Sequence, residues 1–234
     1  MPDLEALAGM GIALTDEMRM QLAAYHRLLL DHNARMDLTN VPEAEMTLRH
    51  YADSLLVLQQ GLIQEGDRII DVGTGAGFPG LPLGIARPDC SISLLESKQK
   101  RCDFLETVVS ELGLKNVQIL RGRAEDWARP PHREAYDLAV ARAVAPLNLL
   151  LEYLLPYVKV GGKALCWKGP AVYEEQADGQ RAAQLLGGHL GEVIDLQMPG
   201  RSHLIQVVRK VMPTHKKYPR KAGVPGKNPL GLQA

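Results

Sequence analysis

From Asp67 onward the chain alternates short runs of apolar and β-branched residues with longer stretches whose apolar positions recur every three or four residues. That alternation predicts βαβ units built on a parallel sheet. Strands are expected near 68–72, 91–95, 117–121, 136–141 and 162–168, then a closing pair near 192–198 and 203–210, with helices near 80–87, 98–113, 146–156 and 171–187. Ahead of this region Met18, Leu22, Tyr25, Leu28 and Leu29 fall at helical spacing behind Thr15, which has N-cap character, and predict a helix over about 16–33. A second helical stretch runs from Pro42, suited to a first turn, to about Gln60. The expected organisation is a helical extension over 1–64 packed on the core, a ligand-binding core over 65–212, and a basic tail over 213–234 that is partly extended.

The punctuation between the first two strands carries the chemistry. Arg68-Ile-Ile leads into Asp71-Val-Gly-Thr-Gly-Ala-Gly-Phe-Pro-Gly80, and the next β-like run ends at Glu96. A strand that ends in a glycine turn lets backbone approach a ligand without Cβ clashes, and the helix behind it offers free N–H groups. An acid one strand over suits the two ribose hydroxyls of an adenosine-bearing cofactor. Gly75, Gly77 and Gly80 also fit the dinucleotide pattern G-x-G-x-x-G, which keeps a hydride-transfer enzyme open. Asp71 tilts the balance, because a carboxylate at the turn suits the ammonium and sulfonium of S-adenosylmethionine and would repel a pyrophosphate.

Composition narrows the classes further. A chain of 234 residues, 46% hydrophobic, holds one substantial α/β core with an appendage and leaves a two-domain dehydrogenase cramped. No apolar run approaches the ~20 residues of a membrane span and the first residues lack a signal-peptide profile, so a soluble cytoplasmic protein is expected; no long exposed apolar stripe is evident, which points to a monomer. Cys90, Cys102 and Cys166 form no C-x-x-C pattern, which points away from disulfide frameworks and zinc. The zero net charge hides a segregation: all 27 acids and 19 of the 27 bases precede Leu196, and the eight remaining bases follow it. An acidic body with a basic tail points to polyanion contact.

In order along the chain stand Asp37-Leu-Thr-Asn40, Arg49-His-Tyr-Ala-Asp-Ser-Leu55, Asp71 to Pro82, Leu94-Leu-Glu-Ser97 with Lys100-Arg101, Gly122-Arg-Ala-Glu125, Ala141-Arg-Ala143, Trp167-Lys-Gly169 and Lys217-Tyr-Pro-Arg-Lys-Ala-Gly223. Taken together they resemble the bacterial small-subunit ribosomal RNA guanine-N7 methyltransferases, also called the glucose-inhibited division protein B family. The family pattern has Asn where this chain has Asp37. The resemblance implies the class I methyltransferase fold, a Rossmann-like α/β sheet of seven strands that is mostly parallel with a reversed edge hairpin. It implies S-adenosylmethionine as cofactor and 16S ribosomal RNA or the small subunit as partner. The cofactor pocket it implies comprises Gly73 and Phe78, the Ala124-Glu125 pair, and Arg142, a positioning residue for the cofactor carboxylate or an RNA phosphate, beside the turn residues Asp71, Thr74, Gly75 and Gly77 and the acid Glu96 already read as cofactor-binding from the motif. His50 and Asp53 could equally brace the front helices against the sheet.

Lys168, Arg201, Arg209, Lys210, Lys216, Lys217, Arg220, Lys221 and Lys227 are candidate phosphate contacts. No Asn/Asp-Pro-Pro-aromatic loop for amine methylation and no Pro-Cys nucleophile for C5 attack is present. Guanine N7 already carries an exposed lone pair and attacks a sulfonium methyl without losing a proton. Alternatives are a cofactor-sensing RNA-binding or ribosome-assembly protein without transfer activity, a small-molecule methyltransferase, and an NAD-dependent dehydrogenase.

Overall fold

The computed structural model describes residues 2–142, 145–200 and 202–232. Seven strands form one sheet in the order β3-β2-β1-β4-β5-β7-β6. They are β1 (Arg68–Val72), β2 (Ser91–Glu96), β3 (Val117–Arg121), β4 (Tyr136–Ala141), β5 (Val158–Lys168), β6 (Gly188–Asp195) and β7 (Leu204–Lys210). β1 to β5 run parallel, whereas β7 lies between β5 and β6 and pairs antiparallel with both. The closing pair thus enters the sheet through its second strand. The central strands β1, β2 and β4 are buried almost throughout, as expected where helices cover both faces.

Helices α1 (Leu4–Gly9) and α2 (Asp16–Met36) open the chain. Thr15 caps α2, accepting from Met18 N at 3.2 Å, and the helix stops where Asp37 turns left-handed at φ 47°. Asp and Asn adopt that conformation more readily than other side chains, which suits Asp37 to the end of this helix. The stretch expected as one helix from Pro42 to Gln60 is broken instead into α3 (Glu43–Met46), a π turn over Thr47–Ala52, α4 (Asp53–Leu55) and a 3-10 turn over Leu56–Gln60. The wider π turn places His50 and Asp53 together on the side facing the sheet, where both are buried.

Between the strands lie α5 (Gly80–Ala86), α6 (Gln99–Glu111), α7 (Ala124–Trp127), α8 (Leu147–Leu154) and α9 (Gln176–Leu185), and α10 (Val224–Lys227) follows them. One face of the sheet packs with α2, α5 and α6 around Leu22, Tyr25, Phe78, Leu81 and Phe104; the other packs with α8 and α9 around Leu147, Leu151, Tyr157 and Val208. The last segment is packed, not extended. Thr214, Tyr218 and Pro225 are buried, and Arg133 donates to the carbonyls of Thr214 and Tyr218 at 2.7 and 2.8 Å.

The same contacts show the segment's course. β7 runs down to the amino ends of the parallel strands, where Lys210 meets the start of β6. The chain then climbs back: Gly223 N donates to Glu125 of α7, Asn148 at the start of α8 donates to Leu230 O, and Arg181 of α9 donates to Gly231 O.

Candidate active site

A cleft of about 1380 Å³ opens at the carboxyl ends of β1, β4 and β5. This is where open α/β sheets bind ligands. One wall is the glycine turn after β1, the opposite wall is residues 37–41 with Arg49, His50 and Asp53, and the far end is formed by Arg142, Trp167–Ala171 and His203.

The turn is built from within by Asp71. Its Oδ2 accepts from Thr74 Oγ1 at 2.6 Å and from Gly80 N at 2.8 Å, so one carboxylate oxygen joins strand end, turn and the first residue of α5. Among the described residues Oδ1 is buried without a partner, and burial pushes the carboxyl up from its usual 3.8 to about 6. Asp71 does not line the cleft. The expected direct electrostatic role toward a cationic ligand is therefore corrected: the side chain points into the turn it supports. Gly73, Thr74 and Gly75 do line the cleft. Gly73 has φ 74° and, among the described residues, a Cβ there would meet nothing within 4 Å, so its backbone is open toward the cleft. Gly77 is set deeper, where a Cβ would lie 2.4 Å from Leu81 Cδ1.

Glu96, 5% exposed, ends β2 beside the turn. Its Oε2 accepts from Gly75 N at 3.1 Å, and its Oε1 accepts from Ser97 N at 2.7 Å and Lys98 N at 2.9 Å. Arg101 stands 3.8 Å from Oε2. Ala124 and Glu125 lie beyond Glu96, past the end of β3, and are not part of the cleft wall. Ala124 O accepts from Tyr157 OH, and Glu125 holds the climbing C-terminal segment.

Phe78 serves both core and wall. Tyr25 and Tyr51 pack against it, while the His50 ring stacks on it at 4.3 Å and 15° and the Arg142 guanidinium lies 5.0 Å from its centroid. Arg142 donates to Arg49 O at 2.9 Å, Asp53 Oδ2 at 3.1 Å and His50 Nδ1 at 3.0 Å. It thus joins the end of β4 to the front segment across the cleft. Burial and this guanidinium hold His50 down from 6.5 to about 3. Asp53 Oδ1 pairs with His203 Nδ1 at 2.7 Å, and Asp53 O accepts from Trp167 Nε1 at 2.8 Å. His50 and Asp53 therefore both brace the front segment and line the cleft. Thr39, Trp167 and His203 join them here. Of these, Thr39 and Trp167 stood within motif segments of the sequence and His203 just before a strand, without a role attached.

The basic candidates divide. Lys210 is enclosed: its Nζ donates to Leu155 O (2.6 Å), Val158 O (3.2 Å) and Thr214 Oγ1 (2.7 Å) and pairs with Glu134 (3.0 Å). That placement removes it from RNA contact. Arg220 grips the fully buried Glu152 through Nε and Nη2 at 2.9 and 2.6 Å, and Lys168 is held by Glu175 and Ala145 O at 2.6 and 2.7 Å. Arg209 is exposed opposite Lys163 on β5, toward the far end of the sheet from the cleft, and Lys216 and Lys217 follow on that side. Lys221 is exposed next to Gly223 at the cleft side, as are Lys98, Lys100, Arg121 and Arg123 beside the ends of β2 and β3. Arg201 lies outside the described residues.

A sheet of this order with one reversed strand, a glycine turn after β1 and an acid closing β2 is the arrangement of the class I methyltransferases. Solved structures share the fold: a SAM-dependent methyltransferase from Aquifex aeolicus aligns with TM-score 0.53 over 71% of this chain and 93% of its own, at 20% identity. TYW2 of M. jannaschii, crystallised in complex with AdoMet, aligns with TM-score 0.53 over 66% and 74%, at 17% identity. At such identities the likeness speaks to fold alone. In sequence, the ribosomal RNA small subunit methyltransferase G of Alkaliphilus oremlandii is 45% identical over 97% of this chain and 96% of its own, and that of Leuconostoc mesenteroides is 45% identical over 97% of both. The model of the GidB family, rRNA small subunit methyltransferase G, matches residues 18–205. The chain belongs to this family.

Proposed function

We propose that the protein transfers a methyl group from S-adenosylmethionine to N7 of a guanine in the decoding-region loop of 16S ribosomal RNA, acting as a cytoplasmic monomer on the RNA or the small subunit. The observation that carries the reading is the Asp71-braced turn, which presents Gly73 to Gly75 to the cleft with the Glu96 carboxylate at the neighbouring strand end. The residues fit such a cofactor. Gly73 leaves backbone open to a ligand, Glu96 is an acceptor for ribose hydroxyls, and Phe78 with Arg142 offers an aromatic and cationic wall for the amino-acid end. When bound, S-adenosylmethionine supplies an electrophilic methyl on sulfonium.

Guanine N7 loses no proton when it is alkylated, so the protein's task is to hold nucleophile, carbon and sulfur in line. Such orientation supplies roughly 7–11 kcal/mol. The cleft suits that task, because His50 and Asp53 are engaged with Arg142, Thr39 and His203. The exposed bases at the ends of β2 and β3, with Lys221, supply positive charge for phosphates near an unpaired target.

Transfer from labelled cofactor to small-subunit particles, with the N7-methyl mark mapped in ribosomal RNA from cells with and without the active protein, tests the reading. A mark that depends on the protein supports it. Cofactor binding without transfer would turn the reading to an assembly or sensing role. The chemical step is expected to show a shallow pH profile, and a sharp dependence on one ionisation near neutrality would overturn the base-free mechanism.

A further inference from the structure

Thr39 ends a chain of hydrogen bonds that runs in one direction only. A guanidinium has donors and no acceptor, so Arg142 must donate to His50 Nδ1 across their 3.0 Å contact, which leaves that nitrogen without a proton. His50 is neutral at physiological pH, since burial and Arg142 hold it near 3. Its single ring proton is therefore on Nε2, and Nε2–H donates to Thr39 Oγ1 at 2.8 Å. The opposite tautomer would set two N–H groups against each other at Nδ1. Val41 N donates to the same hydroxyl oxygen at 3.1 Å.

Both lone pairs of Thr39 Oγ1 are now occupied, and only its O–H is left to bond. Among the described residues no acceptor is in place for that hydrogen. Thr39 is half-buried, lines the cleft and is fixed from behind, where its own N donates to Asn33 Oδ1 at 2.8 Å. A rotor that elsewhere donates or accepts is here restricted to donating.

We infer that Thr39 is a specificity-determining residue whose hydroxyl donates to the carbonyl oxygen beside the target nitrogen of the base, O6 of guanine. The inference rests on the guanine-N7 reading given above. N7 and O6 share one edge of guanine, whereas adenine carries an amino group, itself a donor, in place of O6. A site limited to donation accepts the first and leaves two donors facing each other with the second. Discrimination of this kind is strong because the rejected base leaves a desolvated polar group unpaired.

The test compares single-turnover transfer to a small-subunit RNA fragment carrying guanosine at the target with the same fragment carrying 2-aminopurine, which keeps N7 and lacks O6. The unaltered protein is expected to transfer about ten- to hundredfold more slowly to the 2-aminopurine RNA. Thr39→Val should lose a similar factor on guanosine RNA and almost nothing more on 2-aminopurine RNA, with S-adenosylmethionine affinity by calorimetry unchanged. Thr39→Ser should keep the parental preference. If Thr39 only held the 37–41 loop, Thr39→Val would slow both substrates equally and preserve their ratio; that result overturns the inference. So does equal transfer to both RNAs by the unaltered protein, which needs no variant. Absence of any transfer to guanosine RNA by the unaltered protein would remove the proposed function itself, and this inference with it.

Discussion

Lys210 offers the sharpest test of how the basic C-terminal part is used. As an RNA contact its loss would weaken binding and leave the fold intact; as a clamp its loss would do the reverse. The structure gives it four partners within a buried pocket: two carbonyls at the end of α8 and the start of β5, the Thr214 hydroxyl, and Glu134. Thr214 in turn donates to Leu186 O, so the ammonium ties the sheet to the returning segment. Lys210→Met keeps most of the volume and deletes the charge. Removing one partner of a buried pair costs about 3–5 kcal/mol, and because Glu134 is a quarter exposed and regains water, the lower end applies, about 3 kcal/mol. For a domain of this size that corresponds to roughly 6–12 °C in Tm. Thermal unfolding followed by circular dichroism reads the loss, and filter binding of the RNA at several salt concentrations reads the alternative. A variant that melts with the parent while its RNA affinity falls and its salt slope drops by about one would refute the clamp.

Other expectations follow from the same contacts. Lys221→Ala, on the cleft side, should reduce the salt slope of RNA binding, whereas Lys216→Ala and Lys217→Ala, toward the far end of the sheet, should leave it unchanged; the opposite pattern would reverse the assigned RNA face. Gly73→Ala forces a side chain into a φ of 74° and toward the cleft, so cofactor affinity by calorimetry should fall along with roughly 1–2 kcal/mol of stability. Gly80→Ala, whose Cβ would sit 2.3 Å from Leu94 Cδ2 and 2.8 Å from Asp71 Oδ2, should lose about 1–3 kcal/mol in urea unfolding by overpacking. Asp71 is raised in the fold, so its contribution to stability is fully present below its unfolded value of 3.8 and is lost as pH rises through about 6. Urea unfolding should therefore show Asp71→Asn gaining on the parent by on the order of 2–3 kcal/mol between pH 4 and 6.5, and a constant difference would refute the shift. Arg142→Ala should weaken cofactor binding or turnover at least about tenfold through loss of its charge-assisted bonds, and unchanged kinetics would remove it from the site.

Strands β1, β3 and β4 were legible to the residue, because short runs rich in apolar and β-branched residues, alternating with longer helical stretches, mark strands of an α/β chain. β6 begins at Gly188, four residues before the expected start, since Gly188 to Gly191 carries little apolar signal and the strand is irregular between Leu190 and Val193. The helices at Leu4–Gly9, Ala124–Trp127 and Val224–Lys227 were too short to show a period. Composition marked Lys210 as part of a basic tail; its burial depends on Glu134 and Thr214, whose meeting with it is tertiary. Asp71 was legible as belonging to the turn but not as pointing into it, for one strand residue's direction is set by what packs around it. The glycine turn, Phe78 and Arg142 could be found from strand ends. The grouping of Thr39, Asp53 and His203 could not, because nothing local joins segments so far apart.

Asp53 binds partners 89 and 150 residues downstream, Arg142 and His203. During synthesis the front segment therefore waits through most of translation before its last partner emerges, and pairing over such separations is slow compared with local helix formation. A nascent chain or a fragment that stops before β7 has the glycine turn and the Asp53–Arg142 pair and lacks the Asp53–His203 contact that closes the front segment against the reversed strand.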